Sequence, residues 1–235
     1  MKIEEIRELK KGIFICEDKF RFLCTVKIGN RVELCHIASS SKLKQFIDLK
    51  NKEVFLIPNC TKNSRTKYTV LAVKIQNQFV LLNLPFINKI AAENLSKILP
   101  INQISLSNIY REKRFNSYKS DLYVEAQKLV IEIKTVIANS NEEQAEFPNL
   151  ISKRAEKQLK ELIKLMEDGF YVNYIIFSLT PHVTSIKLND KHNSFCGTFQ
   201  SALNKGLKVY AYNLDIKAPI DFLDPVISEI KFIKD

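Results

Sequence analysis

The sequence predicts an α+β protein in two parts, a small β-barrel or sandwich followed by an α/β domain on a mixed sheet. Three observations carry this. The first ninety residues hold short β-branched or aromatic runs separated by turn signals. Residues 87–99 then change to helical spacing and end at Pro100. Beyond them the segments follow the order β-β-α-β-α-β, and a strand–helix–strand crossover implies parallel neighbours within a mixed sheet. A chain of 235 residues can bury a real core and fits one large or two small domains. The boundary is expected near 85–105, dividing 1–90 from 91–235, with no low-complexity linker and no internal repeat.

In the first part the strand-like runs are KGIFICED, FRFLCTVKI, RVELCHI, EVFLIP, KYTVLAVKI and QFVLLNL. Gly29-Asn30 and Pro58-Asn59 mark turns, and the stretch 27–31 fits a hairpin. Strands at this spacing suit a small barrel or sandwich, of which an OB-like barrel is one solution. Phe20, Arg21, Phe22, Arg65, Lys67 and Tyr68 interleave cations with aromatics. OB-type surfaces hold single strands by stacking bases on aromatics beside basic side chains. Phe22 and Tyr68 fit equally well as core residues whose charged neighbours face water. Arg21, Arg65 and Lys67 are the candidate nucleic-acid contacts.

In the second part, strands are predicted at about 120–125 and 129–136, then a loop containing Asn139, Ser140 and Asn141. A helix follows over about 151–168, with Gly169 as its C-cap. Ala155, Leu159, Leu162, Ile163 and Met166 form its apolar stripe, and Lys153, Arg154, Lys157, Lys160 and Lys164 decorate the rest. YVNYIIFSLT reads as a buried strand, QSALNKG as the end of a helix and LKVYAYNL as a last strand. Docked beside the two strands, the helix could offer Arg154, Lys157 or Gln158 to a phosphate; the same residues fit a solvated helix face.

Four chemically awkward residues fall within this stretch: Glu112, Asp121, Glu132 and Lys134. Strand side chains alternate faces, so Glu132 and Lys134 share one face while Ile131, Ile133 and Thr135 take the other. Charges in a run as apolar as Leu129-Val130-Ile131 are costly unless paired. A divalent cation would serve: carboxylates suit Mg²⁺ or Mn²⁺, and a neighbouring ammonium can stabilise an attacking hydroxide or a developing phosphate charge. By itself the Asp-x10-Glu-x-Lys spacing also fits a turn cap followed by a salt-bridged strand face.

The net charge of +10 is uneven. Residues 1–105 hold 18 Lys and Arg against 9 Asp and Glu, whereas residues 106–235 hold 18 against 17. A polyanion is the natural partner of the basic half, because each neutralised phosphate releases counterions; a Lys-, Ile- and Asn-rich composition is the alternative source of the charge. No basic amphipathic helix points to a membrane surface. Cys16, Cys24, Cys35, Cys60 and Cys196 are scattered, and His36, His182 and His192 lack metal-ligand spacing, so zinc is not expected. With no signal peptide and no apolar run near 18 residues, the protein is expected in the cytoplasm. The sequence holds neither a G-x-x-x-x-G-K-[ST] loop nor a G-x-G-x-x-G, which argues against an NTPase or a dinucleotide enzyme.

Longer segments carry a resemblance. REKRFNSYKSDLYV followed by VIEIKTV resembles the stretch of the sugar fermentation stimulation protein A family in which R-E-V-x-Y-G-x-S-R-x-D leads to I/V-E-V-K-x-V. FPNLISKRAEKQLKEL resembles that family's F-P-D-A-x-x-x-R-G-x-K-H-L-x-E-L, and FRFLCTV, HIASSSKL, SRTKYTV and NLPFINKIAAE match more loosely, in order. The resemblance implies an OB-like N-terminal domain and a C-terminal domain of the PD-(D/E)xK nuclease type. It also implies non-specific DNA binding, a role in regulating sugar-utilisation genes and a nuclease activity inferred from the fold. On that pattern Glu112, Asp121, Glu132 and Lys134 take the active-site positions. Asp121 and Glu132 would hold Mg²⁺ or Mn²⁺, Glu112 would complete the site directly or through a water, and Lys134 would orient the attacking hydroxide. Nothing in the residues separates single- from double-stranded DNA, and RNA remains open. The chain departs from the pattern at Ala38, Ser39, Ser40 and Ser41, at Asn116, at Tyr118-Lys119 where the family has Ser-Arg, and at Ala155 and Gln158.

Overall fold

The computed structural model describes residues 9–20, 22–38, 43–59, 64–100, 108–138, 142–150, 153–216, 222 and 224–234. Arg21, Ser39–Ser41, Cys60, the loop 139–141 and the first two residues of the helix predicted at 151–168 lie outside them. The chain divides into two compact units, one of residues 1–90 with 215–226, the other of 91–214 with 227–235.

The first unit is a closed five-stranded barrel. Its strands are β1 (Lys10–Glu17), β2 (Leu23–Ile28), β3 (Arg31–Ile37), β4 (Glu53–Pro58) and β5 (Tyr68–Ile75), with β6 (Gln78–Leu81) added beside β5. Antiparallel pairs join β1 to β2 and β4, β2 to β3 and β4 to β5; a parallel β3–β5 pair, His36 opposite Thr69, closes the ring. This is the OB-like barrel. Register shifts at Phe14/Cys16 and Phe55/Leu56 supply the local bends that closure needs. Strands β1 to β3 alternate, sending Phe14, Cys24, Val26 and Cys35 inward. Strands β4 and β5 are buried on both faces, and Phe222 from the returning segment packs on Phe55 of β4 and Phe79 of β6 at ring separations of 5.8 and 6.1 Å. That explains why EVFLIP and YTVLAV read as continuous apolar runs rather than alternating ones.

The helix predicted over 87–99 is two helices, α1 (Leu84–Glu93) and α2 (Leu95–Ile98). Pro85 sits in the first turn of α1, where its missing N–H costs nothing, and Asn94, with φ of −112°, interrupts the pair.

The second unit is built on a six-stranded mixed sheet. Its elements are β7 (Ile109–Arg111), the hairpin β8 (Arg114–Phe115) and β9 (Tyr118–Lys119), β10 (Leu122–Val124), β11 (Leu129–Val136) and β12 (Gln144–Phe147). Then come α3 (Lys153–Glu167), β13 (Tyr171–Ser178), β14 (Ser185–Leu188), α4 (Asn193–Asn204), β15 (Lys208–Asp215), β16 (Val226–Glu229) and β17 (Lys231–Ile233). The sheet order is β16-β15-β13-β11-β10-β7, with β11, β13 and β15 parallel and β10 and β7 antiparallel. A second, parallel sheet β12-β14-β17 was not predicted; its strands are only three or four residues long, too short for a pattern. The connection between β10 and β11 is a 3-10 turn over Glu125–Gln127 that ends at Lys128, φ 47°. Helix α3 ends at Gly169, φ 84°, which takes the left-handed cap conformation without a Cβ penalty. It buries Leu159, Leu162 and Leu165, with Ala155, Ile163 and Met166 packed at the margin. QSALNKG is the end of helix α4 as expected; the helix begins at Asn193 and turns Phe195, Phe199 and Ala202 to the core at helical spacing. No helix among the described residues is long and apolar enough to cross a membrane.

Candidate functional site

Strand β11 sets the site. Its alternation turns Glu132 and Lys134 to one face, where the Lys134 ammonium donates to Glu132 Oε1. Glu132 is 2% exposed. Its other oxygen, Oε2, accepts a hydrogen bond from the Tyr118 hydroxyl on β9. Lys134 Nζ also donates to Gln158 Oε1 of α3 at 3.1 Å and lies 6.0 Å from the centre of the Tyr174 ring. A buried carboxylate is thus held by one cation and one hydroxyl, the condition under which burying it is tolerable.

Asp121 stands just before β10. Its Oδ2 accepts the Ile133 backbone N–H at 2.8 Å, so it is fastened to β11 at the amide between Glu132 and Lys134. Both carboxylates act on the same phenols. Burial first, then the Glu132 charge, and further down Asp121, hold Tyr118 far above the ordinary tyrosine range. Burial followed by Glu132 and Asp121 does the same to Tyr174, the parallel register partner of Glu132. Both phenols therefore stay protonated. The Tyr174 hydroxyl is buried without a hydrogen-bond partner among the described residues. Tyr118 and Tyr174 were not singled out from the sequence. The signal available was Tyr118 standing where the family pattern has serine.

Glu112 is placed differently. Its backbone is left-handed, φ 58°, and its N–H donates to the Asp121 carbonyl at 3.1 Å. Its side chain is 71% exposed and pairs with Lys119 Nζ at 3.0 Å. Among the described residues no three His, Cys, Asp or Glu side chains form a group that could hold a metal ion. On α3, Arg154 and Lys157 are exposed, and Gln158 is the residue that reaches Lys134.

The other candidates lie on the barrel. Arg65 and Lys67 are exposed in the connection between β4 and β5, where Lys67 Nζ approaches Glu33 Oε1 at 3.8 Å. In the β1–β2 connection Phe20 is 74% exposed. Phe22, at φ 68°, a costly conformation for a bulky residue, stacks on His36 with ring centres 6.2 Å apart. Burial lowers the His36 pKa, leaving that stack neutral at pH 7. Tyr68 is half-buried beneath Lys10 Nζ, 5.4 Å from its ring centre. Cys16, Cys24, Cys35 and Cys196 are free thiols, and burial pushes Cys35 up to about 11.

Comparison with known proteins agrees with this architecture. The family model described as the sugar fermentation stimulation protein RE domain matches residues 85–219. The sugar fermentation stimulation protein homolog of Pelagibacter ubique is 30% identical over 226 residues, covering 92% of this chain and 94% of its own. That of Methanosphaera stadtmanae is 30% identical over 196 residues, 78% of each chain. A solved structure of Pyrococcus furiosus SfsA in complex with Ca²⁺ shares the fold at a TM-score of 0.81, with 22% identity and 99% of both chains covered. The chain belongs to the sugar fermentation stimulation protein family.

Proposed function

We propose that this protein binds nucleic acid through its barrel and hydrolyses phosphodiester bonds at Asp121, Glu132 and Lys134 with a divalent cation. One observation carries the reading: a carboxylate 2% exposed, with an ammonium of its own strand on it and a second carboxylate tied to the intervening amide. A purely structural strand has little reason to keep such charges. The donor set fits the group. Mg²⁺ keeps several waters and needs only one or two carboxylates, and Asp121 and Glu132 are the residues that would hold it. Glu112 would join only by leaving Lys119. The Pyrococcus furiosus relative was solved with Ca²⁺, another oxygen-seeking divalent ion.

A bound Mg²⁺ or Mn²⁺ would polarise the phosphate and lower the pKa of a bound water. The protein's own groups do the rest. Lys134, hydrogen-bonded to Gln158, sets a positive charge beside the carboxylates, where it can offset charge developing on a phosphate. Arg65 and Lys67 would neutralise backbone phosphates, and Phe20 and Phe22 would offer bases a stacking face, which favours single strands.

A second reading is a binding-only regulator of sugar-utilisation genes. It is favoured by Glu112 turning to Lys119 and by the lack of a three-carboxylate group among the described residues. The deciding experiment incubates the protein with single- and double-stranded DNA and RNA in Mg²⁺, Mn²⁺ or EDTA. Metal-dependent cleavage lost by orders of magnitude in Glu132→Ala, with binding in EDTA equal or slightly tighter, is the expected result. No cleavage of any substrate by the wild type leaves the regulator.

A further inference from the structure

We propose that Tyr118 is the positioning residue that presents Glu132 to a divalent cation, its hydroxyl fixing Oε2 so that Oε1 is left to Lys134 and the ion. The inference rests on the metal-site reading above.

A carboxylate offers about four lone-pair sites over two oxygens. In Glu132 the Tyr118 hydroxyl takes one on Oε2 and the Lys134 ammonium one on Oε1. The two donors differ in freedom. Tyr118 is 4% exposed and belongs to the core of its unit, whereas the Lys134 side chain is 22% exposed and shared with Gln158. The ammonium can shift to admit a cation; the phenol is packed in place.

The backbone around Tyr118 is also fastened. Ser117 Oγ donates to Glu161 Oε2 of α3 at 2.9 Å, and Ser120 N–H donates to the Lys113 carbonyl at 2.9 Å across the hairpin. A hydrogen bond of this kind to a metal-binding carboxylate fixes its rotamer before the ion arrives, and losing one typically weakens the metal ten- to a hundredfold. Were Tyr118 instead a competitor that the cation must displace, removing its hydroxyl would tighten binding. The sign of the effect decides.

The test uses the full chain and Mn²⁺ alone, titrated by calorimetry, with a thermal melt in EDTA as the control for folding. Tyr118→Phe should melt cooperatively and bind Mn²⁺ ten- to a hundredfold more weakly than the wild type. Unchanged or tighter Mn²⁺ binding overturns the proposal. Glu132→Gln in the same titration separates the two levels: if it binds Mn²⁺ as the wild type does, the metal-site reading itself fails. Should Tyr118→Phe not fold, 3-fluorotyrosine at position 118 replaces it. Its fluorine resonance should move on adding Mg²⁺ to the otherwise wild-type chain and stay still in Glu132→Gln. A resonance unmoved while calorimetry records binding overturns the proposal.

Discussion

A glutamate as buried as Glu132 has to be accounted for donor by donor. Lys134 supplies charge and Tyr118 a hydroxyl, so removing either leaves an acceptor that water cannot reach. Lys134→Met should therefore lower stability in EDTA by about 2–3 kcal/mol, somewhat below the range for breaking a fully buried pair because Tyr118 remains. Mn²⁺ at a hundred times its Kd should then return about 2.7 kcal/mol. Urea melts of Lys134→Met with EDTA and with Mn²⁺ check both; no recovery with Mn²⁺ would mean that no cation replaces the ammonium. At this scale the sequence was partly legible. The two-residue period of a strand was enough to put Glu132 and Lys134 on one face. Tyr118 and Tyr174 were hidden because they reach Glu132 through strand pairing and hairpin folding, not through spacing along the chain. Glu112 shows the opposite limit: its motif position was readable, but the left-handed backbone that turns it toward Lys119 was not.

Among the elements, β1 has no room for added volume at Gly12. It pairs with β2 on one side and β4 on the other. A Cβ on Gly12 would lie 2.6 Å from Val26 Cγ1 and 2.9 Å from the Lys27 carbonyl oxygen, and a backbone atom cannot swing aside. Gly12→Ala should destabilise the barrel by about 1–3 kcal/mol through overpacking. The readout is a lower urea midpoint with an unchanged slope, and a wild-type midpoint would show that the strand has slack. The barrel strands were legible from β-branched runs between turn signals, since each is long enough to show a pattern. The glycine's role was not, because KGIFIC looks like any strand until its neighbours close around it. For the same reason β12, β14 and β17 escaped: strands of three or four residues carry too little periodicity, and only their mutual pairing defines them.

At the scale of the whole molecule, charge and connectivity pull on the same experiment. The basic excess lies in residues 1–105, which makes the barrel the expected seat of nucleic-acid affinity. The chain, however, returns to that unit at 215–226 and places Phe222 against Phe55 and Phe79. A fragment ending at residue 90 would lack this ring, so the affinity is best dissected in the full chain. Two contributions can be separated there. Phosphate contacts set the salt dependence, about 0.7 in log K per log salt for each contact to a single strand. Stacking contributes affinity of about 1–3 kcal/mol per base with no such slope. In EDTA, Arg65→Ala combined with Lys67→Ala should flatten the slope for single-stranded DNA by up to about 1.4, at two contacts of about 0.7 each. Phe20→Ala combined with Phe22→Ala should weaken binding at every salt concentration while leaving the slope parallel to that of the wild type. Filter binding or anisotropy from low to moderate salt measures both. If the lysine–arginine pair leaves the slope untouched, the β4–β5 connection does not hold phosphates; if the phenylalanine pair is neutral, the rings exposed between β1 and β2 do not meet bases.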